Sequence, residues 1–185
     1  MSAVPWLKST LDIAHAHYKE SHHRKALTTQ EMAQKEHVSG HQVAKTVAVK
    51  ADERTIVLVL PASRKVSLGK VREVVGAEMV RLLSEGEIAF QFPDCEVGAI
   101  PPFRHWANVD LWMDDSLSSE QELLFHGGNH TDAICMPFSE WKEIANPKEG
   151  SFSIPTDWGG GKTGEDDEWR DTEDIIWEME QGQGD

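Results

Sequence analysis

The sequence predicts an α+β domain in which a mixed β-sheet is flanked by helices. Strand-period and helix-period segments are interspersed without the regular alternation of a βαβ repeat. The two longest apolar runs, Val43–Val49 and Thr55–Leu60, are strand-length and rich in β-branched residues. Helix caps at Thr28, Ser67 and Ser84 stand between or beside such runs. At 185 residues the chain can bury one sizeable core and carry an appendage.

Leu7, Leu11, Ala14 and Tyr18 recur at helical spacing, which predicts a first helix over residues 5–19. Thr28-Thr29-Gln30-Glu31 is a capping box for a short second helix bearing Met32 and Ala33. Ala51-Asp52-Glu53 supplies the turn between the two long strands. Ser67 opens a helix carrying Leu68, Val71 and Val75, which Gly76 stops. Met79–Leu83 reads as a strand, and Ser84-Glu85-Gly86-Glu87 as a capping box before Ile88 and Phe90. Val109–Met113, Leu123–His126 and Ala133–Met136 are further short strands, and a last helix over Ser139–Ala145 ends at Asn146-Pro147.

Composition divides the chain into a domain over 1–147 and an acidic, Gly- and Trp-containing tail over 148–185. From Ser151 onward there are eleven acidic and two basic residues, out of a net charge of −14 for the whole chain. The first fifty residues instead hold seven Lys/Arg against four Asp/Glu. A nucleic-acid partner is therefore compatible with local charge, though not with steering by the overall field. In the tail, Trp169, Thr172, Ile176 and Met179 share one helical face, which suits either docking or a solubilising role. No run resembles a signal peptide or a membrane span, and Cys95 and Cys135 lack metal or disulfide-framework spacing. A cytoplasmic, reducing location is the expectation.

Several chemistries are excluded by spacing. Gly161-Lys162-Thr163 has Thr156 where a phosphate loop needs its first glycine. The pairs His15/His17, His22/His23, His37/His41 and His126/His130 lack a zinc-site context, so no metal is expected. There is no GxSxG elbow, and no motif marks Cys95 as activated. No cofactor is called for.

Three features remain. Lys45 shares a strand face with Val43, Val47 and Val49. A lysine there either snorkels its ammonium to water from the strand end or offers a fixed positive charge to a pocket. In Gly98-Ala99-Ile100-Pro101-Pro102-Phe103, flexible glycine joins stiff prolines, leaving the amides of Gly98, Ala99 and Ile100 as potential donors to a carbonyl oxygen. Gly127-Gly128-Asn129-His130 allows close backbone approach and sets an imidazole beside it. Either loop alone reads equally as an ordinary turn.

Together these motifs resemble the YbaK and prolyl-tRNA-synthetase-associated editing domain family, the trans-editing aminoacyl-tRNA deacylases. Val43-Ala44-Lys45-Thr46-Val47 is similar to that family's lysine-bearing strand, and Gly98–Pro102, followed by Phe103, to its GxxxP loop. Gly128-Asn129-His130 resembles its Gly-x-His element, and Asp114-Asp115-Ser116-Leu117 the acidic turn before it. The resemblance covers roughly residues 5–145 in consistent order. Pro101 and Gly127 depart from the usual residue types, and the tail has no counterpart.

The resemblance implies a mixed, partly barrel-like sheet and hydrolysis of the ester of a mischarged tRNA in trans, in translation quality control. Lys45, Gly98, Ala99, Ile100, Pro102 and Gly128 would be catalytic, with Lys45 holding the terminal adenosine's phosphate or ribose. Thr46, Phe103, Asp114 and His130 would bind substrate, the last two by orienting water or supporting the pocket. The implied partners are the acceptor end of a mischarged tRNA and an aminoacyl-tRNA synthetase. The alternative is a non-catalytic module that binds tRNA or a synthetase, its acidic tail recruiting a protein or competing with RNA.

Overall fold

The structure, a computed structural model, describes residues 2–22, 42–119 and 121–156. The expected helix at Thr28–Ala33, the histidines His23, His37 and His41, and the tail features from Gly159 onward lie outside the described residues.

Helix α1 (Pro5–Ile13) starts with proline in its first turn, where a missing N–H costs nothing, and buries Leu7 and Leu11. It is shorter than the periodicity predicts. His15 turns left-handed at φ 52°, and the chain then runs into strand β1 (Lys19–His22). Tyr18 therefore leaves the helical stripe, its hydroxyl donating to Asp12 Oδ1 at 2.9 Å.

The central sheet contains β2 (Ala44–Ala51), β3 (Arg54–Pro61), β5 (Val80–Leu82), β6 (Val109–Asp114) and β9 (Lys148–Gly150), in the order β5-β2-β3-β6-β9. β2 and β3 form the expected antiparallel pair, with Lys45 opposite Leu60, while β3 and β6 run parallel. A second sheet joins β1 to β8 (Asp132–Pro137) and β7 (Glu122–His126). A two-stranded ribbon pairs β4 (Arg64–Val66) with β10 (Ser153–Pro155). The architecture is thus mixed α+β, and among the described residues these sheets do not close into a barrel.

β3 is buried on both faces, as its continuous apolar run requires. On one face Val47, Val49, Ile56, Leu58 and Leu60 pack against Phe152 and helix α2 (Leu68–Val75). On the other, Ala44, Ala48, Val57 and Val59 meet α1, the second sheet and two further helices, α3 (Glu85–Gln91) and α4 (Phe138–Ala145). The signals at the ends of α2 and the start of α3 hold in detail. Ser67 Oγ accepts from Lys70 N, Gly76 ends α2 at φ 64°, and Ser84 and Glu87 form the reciprocal capping box of α3.

The boundary expected at residue 147 requires correction, because the chain does not leave the domain there. β9 pairs in parallel with β6, β10 pairs with β4, and Phe152 between them is fully buried. The polar sequence Lys148-Glu149-Gly150 gives no strand period. Its ladder with β6 holds it, and the carboxylate of Asp114, described below, holds the residues that follow, Phe152 and Ser153.

Candidate functional site

Residues 96–103 form a loop pinned from four directions. Thr46, next to Lys45 on β2, donates its hydroxyl to Ile100 O at 2.8 Å. His130 Nε2 lies 2.8 Å from Val97 O. A carbonyl only accepts, so this ring nitrogen carries the proton. Glu96 N donates to Gly128 O at 2.9 Å, and His130 N donates to Glu96 Oε2 at 2.8 Å. From α4, the buried indole of Trp141 donates to Pro102 O at 2.9 Å. The two glycine loops and the lysine strand, far apart in sequence, therefore meet.

Pinning the carbonyls orients the amides. Val97 C=O and Gly98 N–H belong to one planar trans peptide and point in opposite directions, so fixing Val97 O on His130 also aims Gly98 N–H. Gly98 holds φ 84°, a left-handed conformation that disfavours side chains. Among the described residues the amides of Gly98 and Ile100 have no acceptor. Ala99 N is different: it donates to Glu96 O at 3.0 Å and is spent inside the turn. Of the donors expected from sequence, Gly98 and Ile100 stay available.

The side chains of this loop serve the core. Ala99, Ile100, Pro102 and Phe103 are all buried, and the Phe103 ring packs edge-on to Phe125 at 5.6 Å. Phe103, expected to bind substrate, packs into the core at the exit of the loop.

Lys45 is 5% exposed, so it does not snorkel into water from the strand end. It lies on the β2 face that carries Val47 and Val49, as the alternation predicts, whereas Thr46 points to the other face.

Gly128, at φ 98°, makes a close approach to Val4. A Cβ there would strike Val4, 2.9 Å from Cγ2 and nearer still to Cγ1, and one on Gly127 would lie 2.7 Å from Ala3 Cβ. Val4 N donates to Gly127 O at 2.8 Å. The glycine pair thus admits the segment leading into α1, a contact that no local sequence signal marked. Below it, Asn129 Oδ1 accepts from Thr131 N, Thr131 Oγ1 and Asp132 N, the turn geometry favoured by asparagine.

Asp114 is buried and saturated. Oδ1 accepts from Ser116 N, Ser116 Oγ and Ser153 Oγ, while Oδ2 accepts from Phe152 N and Ser153 N, both at 2.8 Å. Burial pushes its carboxyl up, but bonds from Ser116, Phe152 and Ser153 outweigh burial and hold it below the ordinary aspartate value. Asp114, expected to orient water or support the pocket, has both carboxylate oxygens engaged by protein donors. Asp132 is similar: burial raises it, and the bonds from His22 at 2.8 Å and from Thr131 lower it further than that.

Other chemistry finds little support. Burial, with Asp94 adding, pushes the Cys95 thiol up to about 12, which leaves no thiolate nucleophile. The rings of His126 and His130 stack edge-on at 5.3 Å. Among the described residues no group of three His, Cys, Asp or Glu side chains could hold a metal ion.

The fold is a mixed α+β domain whose glycine–proline loop is pinned by Thr46, the neighbour of Lys45 on β2. The chain belongs to the aminoacyl-tRNA editing domain family, which matches residues 23–144. It is 26% identical over 123 residues to a proline–tRNA ligase of Bacillus cereus strain AH187, covering 63% of this chain and 22% of the ligase. A second ligase, from Bacillus thuringiensis subsp. konkukian, is 27% identical over 123 residues. The chain thus spans about a fifth of the length of these curated relatives, 22% in each case. Among solved structures, a hypothetical protein superposes with a TM-score of 0.74 at 20% identity, covering 80% of this chain and 99% of that one. A protein described as a candidate trans-editing enzyme for prolyl tRNA synthetase superposes with a TM-score of 0.70 at 17% identity, covering 80% and 94%. At these identities the structures establish the shared fold. No helix among the described residues is long and apolar enough to cross a membrane.

Proposed function

We propose that the protein hydrolyses the ester of a mischarged aminoacyl-tRNA in trans, as a quality-control step of cytoplasmic translation. Family membership supports a role in tRNA editing, and the observation that carries the chemistry is the pinned loop. The carbonyls of Val97, Ile100 and Pro102 are all engaged, whereas the amides of Gly98 and Ile100 have no acceptor among the described residues.

Ester hydrolysis passes through a tetrahedral intermediate whose carbonyl oxygen gains negative charge. Fixed amides aimed at that oxygen stabilise the charge without reorganising, and removal of one such donor costs about 10²–10³ in rate. Gly98 and Ile100 N–H supply that stabilisation. Lys45, next to the loop-bonded Thr46 on β2, holds the terminal ribose or its phosphate by a charge-assisted contact. His130 and Thr46 act as positioning residues, because they touch the loop's carbonyls rather than the reacting atoms. Water is the nucleophile, and the substrate's own α-amine can take its proton as it attacks. The result is a free amino acid and a 3′-terminal hydroxyl on the tRNA.

The test is release of amino acid from a panel of mischarged tRNAs by the wild-type protein and by Lys45→Ala. Release by wild type and its loss in the variant support the reading. Release from none of the panel, with tRNA still bound, replaces it with a non-catalytic binding module.

A further inference from the structure

Arg104 follows Phe103 directly, so the chain leaves the pinned loop and enters an open groove of about 650 Å³. Its walls include Arg54, Arg104, His105, Trp106, Asn108 and Asp110. The charge balance of these walls is unusual for so acidic a chain. Asp110 is already held by Lys148 at 3.3 Å. Asp94 beside the groove accepts from Trp106 Nε1 at 3.0 Å and lies 3.7 Å from His105 Nε2. Arg54 donates to a neutral acceptor, Val75 O, at 2.9 Å, and Arg104 is exposed. Among the described residues neither arginine has a carboxylate partner, and Glu53 is the one acidic wall residue left to offset them.

The groove also holds a flat aromatic surface. The His105 ring lies parallel on Trp6, with centroids 4.0 Å apart and planes 3° apart. Trp106 closes the cluster edge-on to both, at 5.3 Å from Trp6 and 5.2 Å from His105. Among the described residues Trp6 Nε1 is buried without a hydrogen-bond partner, and ring packing holds this indole. The His105 side chain remains 37% exposed. Trp6 belongs to α1, two residues beyond the Val4 that packs on Gly128, so the platform and the pinned loop share one support.

We propose that this groove binds the single-stranded acceptor end of the RNA whose ester the loop hydrolyses. Arg104 and Arg54 contact successive backbone phosphates, and His105 stacks beneath an unpaired base. The proposal rests on the deacylase reading and extends it. An ester at the 3′ end places the preceding phosphates next to whatever holds the carbonyl. Two arginines lining one groove, neither with a carboxylate partner among the described residues, meet that need, and an exposed ring held flat gives the sequence-tolerant stacking that single strands use.

The experiment uses the full chain and its variants Arg104→Ala, Arg54→Ala and His105→Ala. Affinity for an uncharged tRNA is measured across a salt series, and hydrolysis is compared on aminoacyl-tRNA and on 3′-aminoacyl-adenosine, which has no phosphate. Each arginine variant is expected to bind tRNA several-fold more weakly, with the log–log salt slope shallower by about 0.7 for each phosphate lost. His105→Ala weakens binding by about tenfold without changing that slope. Arg104→Ala hydrolyses aminoacyl-adenosine at the wild-type rate. Unchanged affinity and slope in both arginine variants would overturn the proposal, as would absence of tRNA binding by wild type. Equal loss on the adenosine ester would overturn it too, by placing Arg104 at the ester. Should wild type cleave neither ester while the arginine variants still lose tRNA affinity, the deacylase reading fails and the groove stands.

Discussion

Removing the imidazole of His130 separates positioning from packing. The ring is buried, and its Nε2–H donates a hydrogen bond to Val97 O at 2.8 Å. In His130→Ala the carbonyl loses that donor, at about 1–3 kcal/mol for an unsatisfied buried group, and the vacated ring volume adds a cavity term. A total loss of about 2–4 kcal/mol is expected in urea unfolding. The catalytic effect has a different origin. With Val97 O free to rotate, the Gly98 N–H on the same peptide plane loses its aim, and the loss of one oxyanion donor costs about 10²–10³ in kcat. His130→Gln restores an N–H donor at similar reach and should recover most of that rate. The assay is single-turnover release of amino acid at saturating enzyme, run well below each variant's Tm. A His130→Ala enzyme that is less stable yet within about threefold of wild-type kcat would refute the argument. So would a His130→Gln variant as slow as His130→Ala.

Three further outcomes follow from the same contacts. Gly128→Ala forces a methyl into Val4 at a left-handed φ of 98°, so it should destabilise by about 2 kcal/mol or more, and Val4→Ala should relieve only the steric part. Truncation after Pro147 should unfold the domain, because it removes β9, β10 and the buried Phe152; a Tm equal to that of the chain truncated after Thr156 would contradict this. Asp114 and Asp132 both sit below the ordinary aspartate value when folded, so the unfolded chain binds more protons as acid is added. Their stabilisation is complete well above the unfolded pKa of about 3.9 and is lost as pH falls through the lower folded values. Urea midpoints should therefore be flat in this contribution from neutral pH to about 5 and drop below about 4, and Asp114→Asn should flatten part of that drop.

The sequence was most informative where one residue's chemistry dictates local geometry. Ser67, Gly76, Ser84 and Glu87 occupy the helix termini their chemistry predicts, and the alternation in Val43–Val49 puts Lys45 on the face it occupies. It was silent where tertiary partners do the work. β9 and β10 are short, and Phe152 between them and Ser153 at the start of β10 give their amides to a buried carboxylate on β6. The stripe Leu7, Leu11, Ala14, Tyr18 overran α1, since nothing in it registers the left-handed turn at His15. The same limit applies at the candidate site. The loop at Gly98–Phe103 was visible as a motif, but which of its amides are spent depends on Glu96, and what pins it depends on Thr46, His130 and Trp141. Gly128 was legible as a close-approach residue, while its neighbour, Val4, was not.

The central claim is that a buried strand lysine and a pinned backbone loop together hydrolyse an aminoacyl-tRNA ester. The most direct measurement is the rate at which wild type and Lys45→Ala release amino acid from each member of a mischarged-tRNA panel, at matched tRNA occupancy. The account predicts release from at least one member by wild type, lowered at least about 100-fold in the variant through lost orientation of the ester. Equal rates for the two proteins, or no release from any member at full occupancy, would contradict it.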